Sequence, residues 1–206
     1  MERKKRFDMK RSFRRISAVI ATMAFMTGLA ACGSSQESKG GSQPDSSASS
    51  TLIPHGWKKF TSKLMGYSVC FPGTPEKDTY KDNGGSYVRY STVDKNDNIN
   101  YALSASQFSS KQTEESKEFN ESQRRKVLSN YAHLMGVKEG ECTFTTVDGH
   151  TAITYMGHAS EDSSVILRRT VVFSPAGFYG LEAFGVPQKE YKQFVDTFQL
   201  SEDTQE

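Results

Sequence analysis

The sequence predicts an α+β domain in which one antiparallel sheet carries packed helices, behind an amino-terminal export segment. Three observations predict this class. Runs of residues that alternate large with small or polar recur between turn signals, on both sides of a central helical stretch. Two of those signals, Asp148-Gly149 and Ser174-Pro175-Ala176-Gly177, join neighbouring runs at hairpin spacing, which makes the strands antiparallel. Tyr191, Phe194, Val195 and Phe198 recur at i, i+3, i+4 and i+7, the spacing of a closing amphipathic helix.

In order along the chain, Trp57–Thr61 reads as a short opening strand, and Tyr67–Phe71 as a second that stops at Pro72-Gly73-Thr74-Pro75. The turn Asp82-Asn83-Gly84-Gly85 leads into a strand over 86–93, and residues 94–98 turn again. From Asn98 to Gln107 the alternation is clean. Ile99, Tyr101, Leu103 and Ala105 point one way and Asn100, Ala102, Ser104 and Ser106 the other, which predicts a half-buried strand. One long middle helix follows. Thr113 suits its N-cap, Glu114 and Glu115 suit its positive end, and Gly136 suits its stop. Its broken apolar stripe is Phe119, Val127, Leu128, Tyr131, Leu134 and Met135. Strands over 141–147, 150–156, 165–173 and 178–184 then precede the last helix, which opens at Pro187.

The first fifteen residues hold eight Lys or Arg, and residues 16–31 are mostly apolar and uncharged. A basic segment, an apolar run shorter than the roughly 20 residues of a membrane span, and then small residues form the layout of an export signal. Met9 offers a second start that leaves the same mature chain. Leu29-Ala30-Ala31-Cys32 resembles the lipobox of bacterial lipoproteins. That resemblance implies cleavage before Cys32, a diacylglycerol on its thiol, and a cell-membrane location on the extracytoplasmic face. Two or more acyl chains anchor a protein stably where one holds it only marginally. Residues 33–50 are nearly all Gly, Ser and small polar types, a composition that predicts a flexible tether. The expected organisation is therefore a signal over 1–31, an anchor and tether over 32–50, and one globular domain over 51–206.

Removal of the signal reverses the charge. It takes eight of the 26 basic and two of the 24 acidic residues, leaving 18 against 22. A mildly acidic domain argues against a nucleic-acid partner, which selects a basic face with interleaved aromatics. With Cys32 lipidated, Cys70 and Cys142 remain in an oxidising compartment. Two alternatives stay open for them: a Cys70–Cys142 disulfide, or two small buried hydrophobes on strands.

Motifs for chemistry are absent from the sequence. There is no G-x-S-x-G elbow, no H-x-x-x-H or C-x-x-C spacing and no phosphate-cradling glycine loop. His55, His133, His150 and His158 are scattered, and "DKNDNIN" at 94–100 lacks the glycine and distal glutamate of a calcium loop. No catalytic, cofactor or metal residue is assigned. Arg124-Arg125-Lys126 reads as a solvated helix face. Arg168 and Arg169 fall on opposite faces of one strand. Arg169 shares its face with Val165, Leu167, Val171 and Phe173, so it calls for a carboxylate partner.

The opening aromatic strand, "GYSVCFPGTP", the middle helix, the two hairpins and the closing "EYKQFVDTFQL" resemble the PsbP-like superfamily over about residues 55–200. The resemblance implies an α/β/α sandwich around a twisted antiparallel sheet, used for binding or assembly without catalysis. It carries over no metal- or partner-binding residue. The expected function is an envelope-bound lipoprotein acting as a binding or assembly module with an envelope protein partner. The alternatives are a solute-binding lipoprotein and, further off, an enzyme.

Overall fold

The computed structural model describes residues 53–82, 85–93, 98–138, 140–159 and 164–201. Cys32 with its flanking signal and Ser/Gly-rich stretch, the turn residues Asn83-Gly84, and residues 94–97 of "DKNDNIN" lie outside that range. The described chain runs β1 (Lys58–Ser62), β2 (Tyr67–Phe71), β3 (Glu76–Asp82), β4 (Gly85–Val93), β5 (Ile99–Gln107), α1 (Ser110–Lys117), α2 (Glu121–Leu134), β6 (Cys142–Val147), β7 (His150–His158), β8 (Ile166–Ser174), β9 (Gly177–Phe184), α3 (Gln188–Asp196) and β10 (Gln199–Leu200). This is the α+β class that the sequence predicts.

The strands divide into two sheets rather than the single one expected. A seven-stranded sheet has the order β3-β4-β5-β9-β8-β7-β6, and a three-stranded one has the order β1-β2-β10. Every pairing is antiparallel. The physical reason for the division lies in β2, whose two edges are taken by β1 and by the carboxy-terminal β10. A strand bonded on both sides cannot join another sheet. Strand β3 was not legible because a charged edge strand, "EKDTYKD", has no apolar alternation to detect.

Both faces of the large sheet are covered. On one face Leu128, Tyr131 and Ala132 of α2 pack on Ile153, Tyr155, Val171, Phe173 and Phe178. On the other, Tyr191 and Phe194 of α3 and Tyr67, Val69 and Phe71 of β2 pack on Tyr101, Leu103, Val172, Tyr179 and Leu181. The layers are thus helices, sheet, and a mixed layer of α3 with the small sheet. Strand β5 departs from its expected half-burial, because Ala102 and Ser106 on its second face are buried too.

The single middle helix is corrected to two. Ser109 caps α1 and Asn120 caps α2, and each forms a capping box with the glutamine three residues on, Gln112 and Gln123. Thr113 lies inside α1 instead of capping it. A new cap at Asn120 satisfies backbone N–H groups that a continuous helix would have paired internally, so the chain bends there. The stop is as expected. Gly136, at φ 81°, gives its N–H to His133 O at 2.9 Å, and Val137 gives its N–H to Ala132 O at 3.0 Å, the double bond of a Schellman motif. The Asp148-Gly149 hairpin also forms, with φ of 48° and 77° at its two turn residues, as a type I′ turn requires.

Phe194 joins the mixed layer to the sheet. It is fully buried, with ring centroids 5.1 Å from Tyr101, 5.4 Å from Phe71 and 6.3 Å from Trp57. Replacing Phe194 with Ala should destabilise the protein by about 3–5 kcal/mol in urea unfolding. Asn120→Ala, which removes only a cap, should cost about 1 kcal/mol by the same measurement.

Candidate functional site

Alternation along β8 sends neighbouring residues into opposite layers, and two polar constellations result. Arg169 points toward α2, and Arg168 and Thr170 toward α3.

On the α2 side Arg169 meets the carboxylate that the sequence called for: Glu182 of β9, whose Oε1 accepts from Arg169 Nη2. A second guanidinium, unforeseen in the sequence, takes the other oxygen. Arg89 Nη2 of β4 lies 3.3 Å from Glu182 Oε2. Ser104 of β5 donates to Glu182 Oε1 at 3.4 Å, and Arg169 Nη1 donates to the Tyr155 hydroxyl of β7 at 3.3 Å. Arg89, Arg169 and Glu182 are 2, 4 and 1% exposed, so all three charges are out of water. Burial works to lower the pKa of the Arg169 guanidinium, but the adjacent Glu182 carboxylate, together with Tyr155 and Tyr131, outweighs it and holds the group above its ordinary value. The cluster takes one side chain from each of β4, β5, β9, β8 and β7, five consecutive strands.

On the α3 side lies a cleft of about 1190 Å³ between α3, the β6–β7 turn and residues 53–54. Its floor is a set of hydroxyls. Thr154 and Thr170 share a hydrogen bond of 2.9 Å, and the Tyr191 hydroxyl donates to Thr170 Oγ1 at 2.6 Å. Burial pushes the Tyr191 phenol well above its ordinary pKa, so it stays protonated and acts as a donor. The charges at the rim are already engaged. Asp148 accepts the Leu200 N–H at 2.7 Å, and Lys192 bonds Asp196 at 2.6 Å. Arg168 sets the α3 wall in place, donating from Nη1 to Val186 O at 2.6 Å and from Nε to Gln188 Oε1 at 2.9 Å.

The remaining residues singled out in the sequence stay apart. Cys70 lies on β2 and Cys142 on β6, in different sheets, and both are free. The disulfide alternative is therefore not realised. Cys70, 3% exposed, fits the small-hydrophobe alternative, and burial raises its thiol pKa, which keeps it an unreactive thiol. Arg125 pairs with Glu121 at 2.8 Å on an exposed helix face and covers the Phe144 ring, its guanidinium carbon 5.0 Å from the centroid. Among the described residues no group of three His, Cys, Asp or Glu side chains could hold a metal ion. None of the described helices is long and apolar enough to cross a membrane. The cleft itself left no sequence signal, since its threonines and glutamines come from three distant segments and form no motif.

No protein-family model matches the chain. No curated protein matches it in sequence. Among solved structures it is similar to the solution structure of the cyanobacterial PsbP protein (CyanoP) from Synechocystis sp. PCC 6803, at 9% identity and a TM-score of 0.45, over 70% of this chain and 92% of that one. A crystal structure from Bacteroides thetaiotaomicron VPI-5482 is similar at 12% identity and a TM-score of 0.40, over 72% of this chain and 50% of that one. Likeness at this level assigns no activity or partner.

His150, at the start of β7, generates a pH prediction. Burial lowers its pKa; Asp148 opposes the shift and Arg124 adds to it. The folded state therefore binds the proton less readily than the unfolded chain, whose histidine titrates near about 6.5. That contribution to stability is complete above pH of about 6.5 and is lost as pH falls through the lowered folded value. Melting temperature should fall more steeply between pH 7.5 and 5 for the parent than for His150→Gln.

Proposed function

We propose that the chain is an extracytoplasmic binding module without a catalytic role, held to the cell membrane by lipid on Cys32 and meeting an envelope partner through the α3 cleft. The observation that carries this reading is the cleft floor. Thr170 and the protonated Tyr191 phenol are buried and bonded to each other, which leaves the floor fixed and uncharged. Half-buried Thr154 and the exposed Thr145, Thr146 and Gln193 of the lining present hydrogen-bonding groups to a ligand in place of a base or nucleophile. The anchor fits the same picture. Ile53 and Pro54, the first described residues after the expected tether, form one side of the cleft.

The cleft volume also favours a second reading, capture of a small solute, because it is of the order of the roughly 300–1,000 Å³ of small-molecule pockets. The exposed rim, with Thr145, Thr146, Asp148, Lys192 and Gln193 all open to solvent, favours a larger partner instead.

A photo-crosslinking side chain at Gln193 in the full-length protein should capture a discrete protein adduct in intact cells, and the same group at Ser129, on the exposed face of α2, should not. Capture from Ser129 with none from Gln193 would place the partner on the wrong face. In the same cells Cys32→Ser should abolish incorporation of a palmitate analogue and shift the protein out of the detergent phase; unchanged partitioning would refute the anchor.

A further inference from the structure

Sheets end in edges, and an edge presents unpaired N–H and C=O groups that template pairing with another strand. Among the described residues the two sheets have four edge strands: β1, β10, β3 and β6. Three carry a recognisable safeguard. Strand β1 begins with Lys58 and Lys59, β3 carries Glu76, Lys77 and Asp78, and β10 is only two residues long. Strand β6, "CTFTTV", has neither charge nor proline over six residues. Four of the six are β-branched, the side-chain type that packs best across paired strands. Thr143, Thr145 and Thr146 are exposed, while Phe144 is packed into the helix-side core under Arg125, so the edge is held firmly from behind.

We infer that β6 pairs antiparallel with β6 of a second copy of this chain, continuing the seven-stranded sheet across a two-fold axis. The charge pattern selects a second copy. A strand set against itself meets its own residues, and an uncharged one meets no like charge. Self-association of this kind is isologous, one patch serving both partners. It borders the cleft, whose rim includes Thr145 and Thr146, but it uses the backbone of the β6 edge and does not depend on what the cleft binds.

Symmetry then limits the register. An axis that makes two edge strands antiparallel within one sheet runs normal to the sheet and keeps each face on its own side. Directly opposed residues must share a face, and side chains alternate faces along a strand. The two position numbers in each opposed pair therefore have the same parity, and one residue stands on the axis opposite its own copy. Centring the overlap puts the axis at Thr145 or at Phe144. In the first register Thr145 faces Thr145; in the second Thr143 faces Thr145. Opposed residues in an antiparallel pair have Cα atoms about 4.5–5.5 Å apart, within disulfide range.

One short edge is small beside the roughly 1,200–2,000 Å² of a stable complex, so covalent trapping is the suitable readout. The full-length chain carrying Cys142→Ser serves as the parent, and cells are treated with an oxidant. Adding Thr145→Cys, or Thr143→Cys together with Thr145→Cys, should produce a disulfide dimer that the parent lacks. Asp78→Cys, on the guarded β3 edge, should produce none. Thr143 and Thr145 are exposed, so these variants should keep the parent's melting temperature. The inference is overturned if neither β6 variant dimerises above the parent, or if Asp78→Cys dimerises to the same extent.

Discussion

Glu182 shared between two arginines is the interaction on which the rest of this structure depends. A sheet covered on both faces has no solvent to receive charge, and an unpaired buried guanidinium is costly. The helix-side layer nevertheless contains Arg89 and Arg169, each almost fully buried. One carboxylate serves both, one oxygen to each, while Ser104 and Tyr155 add hydrogen bonds at either end. Because the participants come from five consecutive strands, the cluster also constrains strand register. Slipping any one strand by a residue would turn its polar group toward the opposite, aromatic layer.

That register is what builds the cleft on the other side. With Arg169 committed to Glu182, alternation obliges Arg168 and Thr170 to face α3. Arg168 then holds Val186 and Gln188 at the start of that helix, and Thr170 receives the Tyr191 hydroxyl. The ionic layer and the hydroxyl floor are two consequences of one strand's phase. A rigid, internally bonded floor suits recognition, since groups already in place lose little freedom when a partner arrives.

Most of the local signals in the sequence reappear in the structure. The Asp148-Gly149 turn, the Gly136 stop, the α3 stripe and the need of Arg169 for a carboxylate each depend on a few neighbouring residues. What escaped depended on distant ones. The division into two sheets follows from β10 closing on β2 across more than a hundred positions, and β3 is strand only because β4 pairs with it. The break at Asn120 is local, but the apolar stripe continues across it and hides the Asn120-x-x-Gln123 cap signal. The second arginine of the cluster, Arg89, could not be foreseen, because nothing in its own strand shows that β5 and β9 carry it next to Glu182.

The most direct test is urea unfolding of Glu182→Gln beside a triple variant, Arg89→Met with Glu182→Leu and Arg169→Met. Removing only the shared charge leaves two guanidinium groups uncompensated and should cost about 3–5 kcal/mol. Replacing the whole cluster with apolar side chains of similar size should recover most of that loss. A Glu182→Gln protein within about 0.5 kcal/mol of the parent, the range of ordinary surface changes, would contradict the account.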